Sequence, residues 1–287
     1  MDGRNGEGDL NPDDLDGDLD GDLNGAIEGI DDEDLIAALR SIAERAGQVI
    51  LTHYAKGGDI EVRSKDDDSP VTDADEAAET FILQALETLT PEIPVVSEEA
   101  MAAGARPDIS GDRFWLVDPL DGTKEFLARN DEFTVNIALI QDGAPIAGVV
   151  HAPAMAMTWA GAGAGSATFS QADQPPKGIE ARRPPEDGLV VVASRRHGVA
   201  RDLDRFLADY DVAEQVAAGS SLKFCLVASG TADLYPRFGR TMEWDTAAGH
   251  AVLLAAGGSV TRADDGSPLG YGKPGFENPH FIARGRP

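Results

Sequence analysis

Asp118 and Asp121 stand three positions apart in the run Asp118-Pro119-Leu120-Asp121-Gly122-Thr123-Lys124-Glu125-Phe126. The run follows Phe114-Trp115-Leu116-Val117, an apolar stretch that reads as a buried strand. Pro, Gly and Thr predict a tight turn at the strand's exit. Carboxylates at such an exit can share a hard cation such as Mg²⁺, which takes oxygen ligands and bridges to phosphates. Asp, Pro and Gly also make ordinary surface turns, so the run needs support from elsewhere in the chain.

Further acids stand at other element boundaries. Ser97-Glu98-Glu99 closes the short apolar strand Ile93-Pro94-Val95-Val96. Asp73-Ala74-Asp75 begins a helix, and Trp244-Asp245 opens another that Gly257-Gly258 ends. Acids gathered into one cleft repel and are costly to bury unless a cation neutralises them. A two-metal site resolves that conflict. Oxygen-only ligands favour Mg²⁺, with Mn²⁺ as a substitute, over zinc.

The elements that position these acids are legible in outline. From Asp34 the chain reads as a helix, with Leu35, Leu39, Ile42, Ala46 and Val49-Ile50 on one face. A second helix starts after Pro70, capped by Thr72 or Asp73, with Ala74, Ala78, Phe81, Ile82, Ala85 and Leu89 as its stripe. Phe114 to about Ala160 reads as strands, with a hairpin of Val135–Gln141 and Ala144–Val150 around Asp142-Gly143. Residues 161–188 read as loop with some strand. From Leu189 the order is strand, helix from about Ala200, loop, helix from about Ser221, strand to Tyr235, helix from Trp244 and strand near Ser259. Such alternation favours an α/β second half behind a first half of helices against an antiparallel sheet. The expected division is an acidic tail over 1–33, an α+β half over 34–170 with most metal ligands, and an α/β half over 171–287.

Composition bounds the function. The 287 residues carry 51 acids against 24 bases, a net charge of -27, and only six of the bases are Lys. Binding nucleic acid through a basic face is disfavoured. Low Lys with abundant acid suggests a salt-adapted source, because concentrated salt screens self-repulsion. No apolar run reaches the length of a membrane span, and no basic-then-apolar N-terminus suggests a secretory signal. The single cysteine, Cys225, precludes an intrachain disulfide, fits a reducing cytosol and reads as a core thiol. Residues 1–33 are Gly, Asp, Asn and Leu with almost no base, Asp14 to Gly25 repeats on a four-residue step, and the stretch reads as a disordered acidic tail. Asp20, Asp22, Asn24, Gly25 and Asp31 also fit a calcium loop, but position twelve is Asp and no convincing helix precedes it.

Asp75, Glu98-Glu99, Asp118 to Thr123 and Trp244-Asp245 with Gly257-Gly258 together resemble the lithium-sensitive, Mg²⁺-dependent phosphomonoesterases of the inositol monophosphatase superfamily. The likeness is closer to the branch of CysQ-type 3'(2'),5'-bisphosphate nucleotidases. The run from Ser64-Lys65-Asp66 to Thr72 carries it, with Lys124-Glu125-Phe126, Phe133 to Ile140, Gly219 to Cys225 and Leu234 to Gly239. The resemblance runs from about Asp34 to the C-terminus. It implies a layered αβαβα sandwich and a cytoplasmic enzyme, monomeric or homodimeric, with peripheral association at the inner membrane left open.

The resemblance also implies roles. Glu98, Asp118 and the Leu120 carbonyl hold a first metal; Asp118, Asp121 and Asp245 hold a second; a third, weaker ion lies near Glu98. Thr123 orients a water acidified by the first metal. Its proton goes to Asp75 through Thr123 or directly to Glu98, and the sequence leaves both routes open. Asp73 reads as a helix cap. Gly122 and Thr123 offer backbone N–H groups to phosphate. Glu98, Leu120, Asp121 and Asp245 also border the substrate. Where inositol monophosphatases place an acid that faces sugar hydroxyls, this chain has Arg237, suited to grip a second phosphate. Lys65, Lys124, Lys223 and Arg240 are further cations for it. The implied reaction is hydrolysis of adenosine 3',5'-bisphosphate to AMP and phosphate, with 3'-phosphoadenylyl sulfate as a second substrate, clearing a by-product of sulfate assimilation. The alternatives are an inositol or sugar phosphatase, a non-catalytic metal-binding regulator, and a tail that binds a basic partner.

Overall fold

The computed structural model describes residues 27, 30–55, 62–64, 70–194 and 200–287. Most of the acidic tail lies outside the described residues, as do Asp20, Asp22, Asn24 and Gly25 of the calcium-loop reading and Lys65 of the cation set. Strands β1 (Val62–Ser64) and β2 (Pro70–Thr72) make a short antiparallel ribbon. A seven-stranded sheet follows in chain order: β3 (Val95–Ser97), β4 (Arg113–Asp121), β5 (Thr134–Gln141), β6 (Ala144–Ala152), β7 (Met157–Ala162), β8 (Thr168–Gln171) and β9 (Lys177–Gly178). It is antiparallel except where β3 joins β4. The β5–β6 turn puts Asp142 at φ 50° and Gly143 at φ 76°, the paired positive angles that a two-residue hairpin favours.

The second sheet holds β10 (Leu189–Ala193), β11 (Val212–Ala217), β12 (Leu234–Arg237), β13 (Ser259–Arg262) and β14 (Phe281–Arg284), in the order β11-β10-β12-β14-β13. The segment expected as loop after the helix near Ala200 is β11, a parallel edge strand. Its alternation is hidden because Ala213, Glu214, Gln215 and Ala217 are all exposed.

Five layers result. Helices α1 (Asp32–Ala55) and α2 (Asp73–Leu89) cover one face of the large sheet. Leu39, Ile50, Ile82 and Leu86 pack there with Trp115, Val117, Ile137 and Leu139. Two shorter helices, α3 (Glu98–Ala102) and α4 (Thr123–Ala128), follow β3 and β4. Helix α5 (Ala200–Leu207) lies on the outer face of the second sheet, where Leu207 meets Val191, Leu234 and Ile282. Helices α6 (Leu222–Ala228) and α7 (Ala247–Ala255) fill the middle layer between the sheets. Phe224 and Val252 pack there with Leu116, Ala138 and Val150 of the first sheet and Tyr235 and Phe281 of the second. A fully buried Leu, Val or Phe in this layer contributes about 1.5–3 kcal/mol relative to exposure.

The central position explains why α7 is apolar nearly all round rather than striped. It approaches β6 closely: a Cβ on Gly148 would fall 2.8 Å from Ala251 Cβ and 2.9 Å from Ala248 O. Helix α7 begins at Ala247, three residues later than the sequence suggests, and Trp244–Thr246 form the turn before it. Gly257, at φ 85°, follows its C-terminal end. No helix among the described residues is long and apolar enough to cross a membrane.

Candidate active site

The strand that carries Asp118 does not stop at Val117. β4 continues through Asp121, and the turn comes at Gly122. Asp118 pairs with Asn136 and Asp121 with Thr134, so three steps on β4 match two on β5. The extra residue is a β-bulge. In a regular strand, positions three apart face opposite sides. Here Asp118 and Asp121 share one face, because their partners are two apart. Leu120 packs with the α1–α2 core on the other face, which leaves Pro119 as the inserted residue, where its missing N–H costs no ladder bond. Gly122 then turns at φ 91°, and a Cβ there would collide with Ser220 Oγ.

Asp75 stands at the third position of α2 and is buried. Its Oδ2 accepts from Thr72 N at 2.8 Å and Thr72 Oγ1 at 2.7 Å, a capping box with Thr72 as the cap. Its Oδ1 accepts from Thr123 Oγ1 at 3.3 Å, and the same hydroxyl lies 3.4 Å from the Leu120 carbonyl. Asp73 is exposed and pairs with Arg63 at 3.0 Å.

Glu98 opens α3, Asp118 is buried in β4, and Asp245 lies in the turn before α7, where its Oδ2 accepts from Met242 N at 2.9 Å. One oxygen from each of these three acids lies within 4.8 Å of the others. The trio draws one member from outside each of the two ligand sets that the sequence implies. Asp121 is not part of it, and its Oδ2 accepts from Asn136 Nδ2 at 3.3 Å. Burial pushes the Asp121 carboxyl up to about 6, opposed by the Lys223 ammonium and the Asn136 bond. Burial, with Asp121 and Glu98 nearby, raises Asp245 well above the usual carboxylate range. Clustered acidic side chains, with no His or Cys among them and with burial opposing the charge of Asp121 and Asp245, suit a hard divalent cation.

A cavity of about 420 Å³ opens beside the acids, lined by Asp121, Asp245, Lys124, Lys223, Tyr235 and Arg237 among others. Lys223 is buried, with Nζ donating to Ser220 O at 2.5 Å and Ala218 O at 3.3 Å. Burial lowers it to about 8, while Asp121 holds it up. Arg237 is half-buried; its Nη2 donates to Arg240 O at 3.1 Å, and its buried Nε has no partner among the described residues. Lys124 is exposed at the rim. Arg240 does not line the cavity and pairs with Glu277 at 3.2 Å.

Four residues that the sequence reading gave no role join the two halves at this site. Asn136 Nδ2 also donates to Ser221 Oγ at 3.0 Å, and Ser221 Oγ donates to the Asp245 carbonyl at 2.8 Å. Ser220 Oγ lies 2.9 Å from the Asp121 carbonyl and 2.8 Å from that of Glu132. Glu132 Oε2 accepts from Gly219 N at 2.6 Å. The available signal was Asn136 itself, an amide inside the apolar stretch Val135–Ile140.

The inositol monophosphatase family model matches residues 31–283. The chain is 50% identical over 243 residues to the 3'(2'),5'-bisphosphate nucleotidase CysQ of Escherichia coli O157:H7, covering 84% of this chain and 95% of that protein. It is 48% identical over the same length to the protein of that name from Salmonella typhimurium, with the same coverage. Among solved structures it is similar to CysQ from Bacteroides thetaiotaomicron, described as a bacterial member of the inositol monophosphatase family. The TM-score is 0.73 at 35% identity, covering 88% of this chain and 97% of that one.

Proposed function

Because the chain belongs to the inositol monophosphatase family, we propose that it is a divalent-cation-dependent phosphomonoesterase that hydrolyses adenosine 3',5'-bisphosphate to AMP and phosphate. The observation that carries the substrate is the cavity wall. In a chain of net charge -27, Lys124, Lys223 and Arg237 line one space beside the acidic trio. A substrate with two phosphates uses both sides of it, one phosphate at the acids and one at the cations. 3'-Phosphoadenylyl sulfate carries the same 3'-phosphate, with a 5'-phosphosulfate in place of the 5'-phosphate, and is the second substrate. Three cations in one wall of so acidic a chain favour this reading over an inositol monophosphatase, whose substrate has a single phosphate.

Glu98, Asp118 and Asp245, with Asp121 and the Leu120 carbonyl, would hold Mg²⁺. When bound, the cation neutralises phosphoryl oxygens and acidifies water. The protein's own part is to place the nucleophile and take its proton. The Thr123 hydroxyl passes a proton to Asp75 Oδ1 and takes one from the attacking water. Asp75 suits this role because Thr72 fixes its other oxygen. Gly122 and Thr123 offer backbone N–H groups to the scissile phosphate. Lys223 and Arg237 bind the phosphate that stays.

Phosphate release with Mg²⁺ from adenosine 3',5'-bisphosphate, compared with inositol 1-phosphate, tests the reading. The bisphosphate is expected to be the better substrate by at least tenfold in kcat/KM. Preference for inositol 1-phosphate would overturn the substrate, and full activity in excess EDTA would overturn the metal dependence.

A further inference from the structure

The acids of the site come from two layers and from distant stretches of the chain. Asp118 and Asp121 stand on β4 of the large sheet, and Asp245 on the turn before the central helix α7. Their spacing has to survive mutual repulsion when no cation is bound. One continuous polar chain spans the gap. Asp121 Oδ2 accepts from Asn136 Nδ2 at 3.3 Å, Asn136 Nδ2 donates to Ser221 Oγ at 3.0 Å, and Ser221 Oγ donates to the Asp245 carbonyl at 2.8 Å.

Every donor hydrogen in the chain is used, and both bridging residues are almost wholly buried. Asn136 gives both N–H groups, and Ser221 gives its one hydroxyl hydrogen while accepting another. The cost appears at Asn136 Oδ1, a buried acceptor with no partner among the described residues. Such an orphan is unfavourable, and an apolar side chain would fill the same strand position without it. Flipping the amide does not help, since Oδ1 would then face the Asp121 carboxylate and both donor bonds would be lost. An amide kept at that cost in an otherwise apolar strand, opposite Asp118 in the ladder, is explained by what it holds.

We infer that Asn136 and Ser221 are positioning residues that set the separation between the Asp121 carboxylate and the Asp245 segment, so that the two halves present a ready-made cation site. The inference rests on the metal-dependent reading above. Neither residue is assigned to touch substrate. Asn136 belongs to the first sheet and Ser221 stands at the N-terminal end of α6 in the middle layer, so the contact also makes the site sensitive to how the two layers are docked.

Calorimetric titration of the full chain with MgCl₂ alone, without substrate, tests this. Wild type, Asn136→Ala, Ser221→Ala and Ser221→Thr are compared, with thermal unfolding of each in EDTA as the control for folding. Asn136→Ala and Ser221→Ala are expected to bind Mg²⁺ at least tenfold more weakly, and the Mg²⁺ concentration for half-maximal activity to rise by a similar factor. Ser221→Thr keeps the hydroxyl and is expected to stay within about threefold of wild type. A lower Tm with unchanged Mg²⁺ affinity would overturn the inference and leave only a packing role. If Asn136→Ala fails to fold, the Ser221 pair decides alone, since it removes a single oxygen. Wild type that binds no Mg²⁺ yet hydrolyses substrate would overturn the metal reading itself, a result distinct from unaltered affinity in the variants.

Discussion

Thr123 Oγ1 donates to Asp75 Oδ1 at 3.3 Å, joining the first turn of α4 to the first turn of α2 across 48 residues of chain. The bond orients a hydroxyl whose other neighbour is the Leu120 carbonyl. Apo hydrogen bonds of catalytic pairs are often this long and tighten with substrate.

Thr123→Ala removes the hydroxyl and leaves the acidic trio untouched. The expected result is a fall in kcat of about 10²–10⁴, the range for a positioned proton-transfer group, with Mg²⁺ affinity within about twofold of wild type. Thr123→Ser is expected to recover most of the rate. Steady-state kinetics and MgCl₂ calorimetry read the two quantities separately, and a large loss of Mg²⁺ affinity in the alanine variant would contradict the role.

Asp121 gives a pH signature in the metal-free protein. Its carboxyl titrates at 3.8 in the ordinary case and at about 6 in the fold, because burial disfavours the charge. A raised acid contributes stability below 3.8 and loses it as pH rises through about 6. The loss is at most about 3 kcal/mol. In EDTA, Asp121→Asn is therefore expected to be more stable than wild type at pH 7.5, by about 1–3 kcal/mol, with the gap closing towards pH 4. Urea unfolding at both pH values checks it, and Mg²⁺ is expected to stabilise wild type more than the variant.

The buried histidines have the opposite sign. Burial lowers His151 to about 4 and His250 to about 3. Their partners are Thr158 Oγ1 at 2.9 Å and Tyr271 Oη at 3.0 Å. Each is neutral in the fold at a pH where the unfolded chain binds a proton, so stability is full above 6.5 and falls below it. At pH 5 the loss is about 2 kcal/mol per histidine. His151→Gln and His250→Gln each are expected to reduce the slope of stability against pH between 5 and 6 by about one proton. Unchanged slopes would show that these rings do not carry the acid sensitivity.

The legible parts of the chain were those set by local chemistry. Thr72, one of the two expected caps of α2, acts through its side chain, while Asp142-Gly143 as a hairpin turn and Gly257 after α7 follow from residues that accept positive φ. The acids of the site were visible because carboxylates at strand and helix ends are conspicuous. The bulge was not, since Pro119 inside a strand looks like a turn until β5 supplies the register. The resemblance put Glu98, Asp118 and Asp245 at one site, but not the close approach of this trio across the two implied ligand sets, which depends on where the turn before α7 meets β4. Asn136 and Ser221 meet from 85 residues apart, and a hydrogen bond between layers leaves no periodicity in sequence. Strand β11 escaped because an exposed edge needs no apolar alternation.

The charge predicts a response to salt. With a net charge of -27, self-repulsion opposes the compact state, and the screening length falls from about 10 Å at 0.1 M to about 3 Å at 1 M. The midpoint of urea unfolding is expected to rise with KCl between 0.1 and 2 M. Greatest stability at low salt would remove the salt-adapted reading of the composition.

Arg237 tests how the substrate is chosen. Its guanidinium lines the cavity beside Lys223, its Nη2 is tied to the Arg240 carbonyl, and its buried Nε is unpartnered among the described residues. On the proposed reading, a phosphate that stays on the substrate would pair with this guanidinium. A charge-assisted contact of this kind contributes about 1.5–3 kcal/mol, or roughly tenfold to a hundredfold in kcat/KM. Arg237→Ala is therefore expected to lower kcat/KM for adenosine 3',5'-bisphosphate by that factor and to change adenosine 3'-monophosphate by less than about threefold. Arg237→Lys keeps the charge but loses the planar fork, so its loss is expected to fall in between. Arg237→Glu adds repulsion towards the second phosphate and restores an acid able to meet sugar hydroxyls, which is expected to raise the relative use of inositol 1-phosphate. Parallel losses on the bisphosphate and the monophosphate would mean that Arg237 supports the cavity wall and does not read the second phosphate.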